Sequence, residues 1–144
     1  MKTYLGVATA IALATYSSLF HVSAEDQTTT TKSSSKVMIV LDASGSMWGQ
    51  VEGRTKIEIA RETLKSTLSS LPAETEVGLI AYGHRRKGDC GDIELLQSVK
   101  PGNATAVSSS VEKLNPKGKT PLSDAVRMAA KELRSSEQKA TVVL

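Results

Sequence analysis

The chain has 144 residues, enough for one domain, with a net charge of +3 and a hydrophobic fraction of 40%. So small a positive excess speaks against nucleic acid or an anionic membrane surface as a partner. One cysteine, Cys90, rules out an internal disulfide and predicts a free thiol, while an aromatic fraction of 3% demands an aliphatic core.

Residues 1–24 read as a secretory signal peptide. Lys2 supplies a minimal positive end, Tyr4 to Phe20 an apolar stretch, and Val22-Ser23-Ala24 a small-residue cleavage site. An uncleaved anchor is the alternative, and membrane contact is expected only in that case. Thr9, Thr15, Ser17 and Ser18 dilute the apolar stretch and favour cleavage. Residues 25–35 are polar, rich in Thr and Ser and without period, and read as a disordered linker. Residues 36–144 are left to form the folded domain.

That domain opens on five consecutive apolar residues, Val37 to Leu41, the habit of a central parallel strand buried on both faces. The strand stops at Asp42-Ala43-Ser44-Gly45-Ser46. Ligand sites in open α/β sheets lie just past such strand ends. The Asp-x-Ser-x-Ser spacing lets three side-chain oxygens of a tight turn face one point, and Gly45 relieves the strain of that turn. One carboxylate with neutral hydroxyls suits a hard, octahedral cation, Mg²⁺ or Mn²⁺. Met47 to Gly53 reads as a loop beside this point. Its Trp48 either packs over the sheet end and shields the site or contacts a bound partner.

Arg54 to Leu71 reads as a helix, with Ile57, Ala60, Leu64, Leu68 and Leu71 on one face and Pro72 beyond its end. Glu76 to Gly83 is a second buried strand, parallel to the first by the crossover rule. His84-Arg85-Arg86-Lys87 reads as a solvated basic cluster in a turn, with His84 a loop histidine rather than a ligand. Asp92 to Val99 follows too closely for a crossover and is expected as an antiparallel edge strand. After a break at Pro101-Gly102-Asn103, a helix is expected over Ala104 to Leu114. Thr120 is placed as N-cap and Pro121 as the first helical residue of a helix reaching Arg134. That helix would turn Leu122, Ala125, Val126, Ala129 and Leu133 to the core. Ala140 to Leu144 reads as a further buried strand. The four sheet strands, numbered along the chain, are expected in the order 3-2-1-4.

The strand-ending run Asp42 to Ser46, followed by an amphipathic helix, resembles the metal-ion-dependent adhesion site of von Willebrand factor A domains. A second match is Thr120, within Gly118-Lys119-Thr120-Pro121-Leu122. The resemblance covers about Ser35 to Leu144. It implies an α/β fold, doubly wound and mostly parallel with one antiparallel edge strand. It also implies a metal site in which two serines touch the cation, the first aspartate acts through water and a later threonine joins them. Asp42, Ser44, Ser46 and Thr120 occupy those places. The family's last acidic loop has no match here, so the sequence reads as the N-terminal two thirds of such a domain, with its last strand an open edge.

The resemblance further implies a bacterial exported protein, periplasmic or secreted. Its function would be to bind a protein ligand that offers a carboxylate to Mg²⁺ or Mn²⁺. A Mg²⁺-dependent hydrolase or phosphotransferase is the alternative, since such enzymes also begin at a strand-end aspartate. They need a second acid two residues on, where this chain has Ser44, so no enzymatic activity is expected. A third reading is a fragment without a competent site.

Overall fold

The computed structural model describes residues 35–134 and 139–144. The expected signal peptide and all but the last residue of the expected linker lie outside the described residues.

The apolar run forms β1 (Lys36–Asp42), which ends at the first acid. One 3-10 turn (Gly45–Trp48) follows, and then a small hairpin the sequence did not suggest. It pairs β2 (Gln50–Val51) with β3 (Arg54–Thr55) around Glu52 and Gly53, whose φ angles are 50° and 79°. Two positive φ values in sequence give the turn whose twist matches that of the paired strands. The helix expected from Arg54 therefore starts later, as α1 (Lys56–Ser70). Its start is fixed by a capping box. The Glu58 amide donates to the Thr55 hydroxyl, and Glu58 Oε2 accepts from the Thr55 amide at 2.9 Å.

β4 (Glu76–Tyr82) runs parallel to β1, with Lys36 opposite Glu76 and Asp42 opposite Tyr82. β5 (Ile93–Pro101) lies antiparallel to β4, one residue later at its start and two longer at its end than expected. Next come α2 (Ala104–Glu112), α3 (Leu122–Leu133) and β6 (Ala140–Val143), which pairs parallel with β1. The sheet order is β5-β4-β1-β6, as expected.

Alternation along the two central strands makes two cores. Ile39, Leu41, Val77, Leu79 and Ala81 face α1 and α2 and meet Leu68, Val107 and Val111. Met38, Val40, Ile80 and Tyr82 face the other way and meet Ala125 and Ala129 of α3. Each buried aliphatic side chain contributes about 1.5–3 kcal/mol. The pairing of β4 with β5 is irregular around Gly78, where a β-carbon would stand 2.7 Å from Val99 and 2.9 Å from Met38. Asn103, expected only as a chain breaker, is buried and donates from Nδ2 to the carbonyls of Val77 and Ser98, both at 2.9 Å.

Two expectations about burial fail. β6 was expected to be buried, yet Ala140, Thr141 and Val143 are exposed, because among the described residues only β1 pairs with it. Leu122, assigned to the core, is 40% exposed. A helical period identifies a face without saying whether anything covers it. Val51, Leu122, Val143 and Leu144, all exposed, line one cleft of about 740 Å³ that also reaches Asp42 and the Ile59 side of α1.

Candidate functional site

β1 delivers Asp42 to the carboxyl edge of the sheet, and the chain turns at once. Asp42 Oδ1 accepts the Ser44 amide at 2.7 Å, which closes an Asx turn. Ser44 is 1% exposed, and its Oγ lies 3.0 Å from the Oγ of exposed Ser46. Three of the four expected ligands are thus linked directly. Burial pushes the Tyr82 hydroxyl above its ordinary value, and the Asp42 carboxylate beside it adds to the effect. The phenol stays neutral next to the acid.

A second loop clasps this turn. Ser44 and Gly118 form a parallel bridge, the Gly45 amide donates to the Gly118 carbonyl at 3.0 Å, and the Lys117 amide reaches the Ala43 carbonyl at 3.3 Å. Underneath, the Lys117 and Gly118 amides both donate to the Gly83 carbonyl, at 2.9 and 2.7 Å. Three chain segments meet here, and two of them have no room for a side chain; Gly45, expected to relieve strain, has no positive φ, and a β-carbon there would come no nearer than 3.4 Å to its neighbours. A β-carbon on Gly118 would lie 2.6 Å from the Arg86 carbonyl oxygen, and one on Gly83 would lie 2.5 Å from that of Lys119.

Thr120 stands two residues beyond Gly118 and is exposed. It does not cap α3. The N-cap is Pro121, whose ψ of 54° is not helical, so the helix begins at Leu122. Among the described residues, no hydrogen bond joins the Thr120 side chain to Asp42, Ser44 or Ser46. Its loop is tied to their turn through the backbone of Gly118.

Trp48 joins the two loops. It is 50% exposed, and its Nε1–H donates to the Pro116 carbonyl at 2.9 Å, which ties the first loop to the second.

The basic cluster is not merely solvated. Arg85 Nε meets Asp92 Oδ1 at 2.7 Å, Arg86 pairs with Asp89, and His84 Nε2 lies 2.9 Å from Glu94 Oε2. Asp92, which sequence reasoning passed over, is fully buried and organises this loop. Its Oδ2 accepts the amides of Arg85 and Arg86, both at 2.8 Å. Burial alone would raise the Asp92 carboxyl. The two amides and the Arg85 guanidinium outweigh it and hold the group at about 2. Asp92 thereby shapes the loop on which Gly118 rests. The available signal was one acid closing a basic turn at the start of a strand.

Among the described residues, no three His, Cys, Asp or Glu side chains form a metal-binding group. The donors at the strand end are one carboxylate and hydroxyls, a set suited to a hard cation. Cys90 is exposed and distant in sequence from these donors.

A mostly parallel sheet between helical layers, with a hydroxyl-rich turn at its carboxyl edge clasped by a glycine loop, defines a von Willebrand factor A-type domain. The chain belongs to that family, since the model of the von Willebrand factor type A domain matches residues 37–144. It is similar to YwmD of Bacillus subtilis (strain 168), with 29% identity over 106 residues, covering 69% of this chain and 47% of YwmD. The chain spans about half the length of the curated relatives it matches. Among solved structures it is similar to BatB from Bacteroides thetaiotaomicron, with a TM-score of 0.59 and 20% identity, covering 74% of this chain and 51% of that one. It is also similar to the PilB minor pilin from Streptococcus sanguinis, with a TM-score of 0.60 and 21% identity, covering 77% of this chain and 29% of that one. At such identities these structures show the shared fold alone.

Proposed function

We propose that Asp42, Ser44, Ser46 and Thr120 hold a divalent cation, Mg²⁺ or Mn²⁺, and that the protein uses it to bind an acidic group of a partner protein. The observation that carries this reading is the 3.0 Å separation of the Ser44 and Ser46 hydroxyl oxygens. Neighbouring ligands of an octahedral Mg²⁺, each about 2.1 Å from the metal, stand about 3.0 Å apart. The hydroxyl pair therefore fits one edge of that octahedron.

Asp42 spends one oxygen on the Ser44 amide, which suits a carboxylate that acts on the cation through water. A cation so held keeps most of its charge and supplies a position for an outside carboxylate. Hydrolysis is disfavoured because Ser44 stands where a leaving-group acid would be needed. A protein partner agrees with the fold shared with a minor pilin, and the apolar stretch of residues 1–24 supports export to the periplasm or beyond.

Calorimetry with Mg²⁺ and Mn²⁺ tests the site. Marginal affinity is expected, since one charged ligand is few and Mg²⁺ sheds water reluctantly. Ser44→Ala should weaken it roughly tenfold or more. Tight binding indifferent to Ser44→Ala would place the cation elsewhere and refute the reading.

A further inference from the structure

Beside the hydroxyl pair the protein displays one fixed aromatic surface. Trp48 is the only tryptophan, sits two residues past Ser46 in the same turn, and leaves half its surface in solvent. Its single polar atom is already used by Pro116, a buried residue of the clasping loop, so the part that meets solvent is carbon. A ring held between two loops loses little further freedom when something binds to it. That low entropic cost makes such aromatics effective anchors.

Three lysines lie on the clasping loop and at the start of α1 beside it. Lys117 and Lys119 flank Gly118 and are exposed. Lys56 lies over the same turn as Trp48, since a β-carbon on Gly49 would stand 3.9 Å from its Nζ. Among the described residues none of these three lysines has an acidic partner, whereas Arg85 and Arg86 are both paired. A rim with one apolar plate and three spare ammonium groups favours an acidic ligand with an apolar side chain.

We infer that Trp48 determines specificity: the partner segment carries an apolar side chain next to the carboxylate that enters the site, with further acids met by Lys56, Lys117 and Lys119. This rests on the reading of the site as a cation-dependent carboxylate receptor. Neither the cation nor the hydroxyls would distinguish one acidic segment from another, so selectivity falls to the rim.

The test is a displayed random-peptide library selected on the full chain in Mg²⁺ and eluted with EDTA. The enriched peptides should share an acid with a large apolar residue within two positions and an excess of other acids. Trp48→Ala should lower their retention at least tenfold, and Trp48→Phe, which keeps a ring but loses the Pro116 bond, should fall between. In the wild type, adding such a peptide should move the emission of the sole tryptophan to shorter wavelength. A Mg²⁺ titration and a melting curve for each variant separate loss of the cation or of the fold from loss of the aromatic contact. EDTA-eluted acidic peptides without an apolar preference, or peptides retained equally by Trp48→Ala, would overturn the inference and leave the cation site standing. Measurable Mg²⁺ binding with no EDTA-sensitive peptides would overturn it as well. Absence of Mg²⁺ binding in the wild type would remove the reading on which it rests.

Discussion

A β-carbon on Gly83 would lie 2.9 Å from the Cα of Ser44, closer than any real side chain tolerates. Gly83 also has φ of +71°, so two independent constraints forbid a side chain there. Gly83→Ala should cost about 2–4 kcal/mol, from left-handed strain plus overpacking against backbone that cannot yield. Gly53 has a similar φ of +79° but nothing within 4 Å of the added carbon, so Gly53→Ala should cost only about 1 kcal/mol. Urea unfolding of the two variants measures the difference. Equal costs would mean that the junction relaxes freely.

Asp92 predicts a pH dependence. Its carboxyl is held at about 2 in the folded protein against an ordinary 3.8. A folded-state value below the unfolded one stabilises the protein fully above about pH 4, and that stabilisation is lost as pH falls towards about 2. The shift corresponds to about 2 kcal/mol at neutral pH. Asp92→Asn should remove it and flatten the stability profile between pH 4 and pH 2. Chemical unfolding at a series of pH values gives both curves, and an unchanged acid limb in the variant would assign the loss to other carboxylates.

Asn103 holds together the irregular junction of β4 and β5 by giving both amide hydrogens to main-chain carbonyls. Asn103→Ala leaves two carbonyls without these donors and should cost about 2–4 kcal/mol. Asn103→Asp has nearly the same shape but turns a donor into a charged acceptor facing two oxygens, so it should be worse still. Thermal melting of the pair decides the point. If Asn103→Asp proved the milder change, the amide bonds would not be what matters.

The capping box predicts a smaller and purely local effect. Thr55→Ala removes the acceptor for the Glu58 amide and should cost about 1 kcal/mol. The Thr55 hydroxyl and amide also hold the Glu58 carboxyl below its usual range, so Glu58→Gln should weaken the cap chiefly at neutral pH. Helix content followed by circular dichroism during urea unfolding will show whether both variants shift the midpoint without changing the slope.

How far the sequence carried these conclusions varies from residue to residue. Val37 to Leu41 announced a central strand because a continuous aliphatic run has few other homes, and the acid and hydroxyls at its end pointed to the turn where the cation site is proposed. The strand order followed from connection lengths and handedness, which are general. What escaped depended on contacts no local pattern encodes. The hairpin hides behind Glu52, a residue that rarely takes the positive φ found there. Asp92 matters because a loop folds back seven residues to Arg85. Thr120 loses the helix cap because Pro121 takes a ψ outside the helical range. Trp48 finds its partner in Pro116, 68 residues away.

The bridge between Ser44 and Gly118 also orders events in time. The residues of the first strand, its turn and the helix after it have all been added once the ribosome has passed Ser70, yet the strand's partners and the turn's clasp are still untranslated. Closing so long a loop has an entropic cost that only contacts of high sequence separation can offset. A nascent chain stopped before Gly118 should therefore hold secondary structure without a closed turn. Any property that needs the clasp would then appear late, together with the native topology rather than ahead of it.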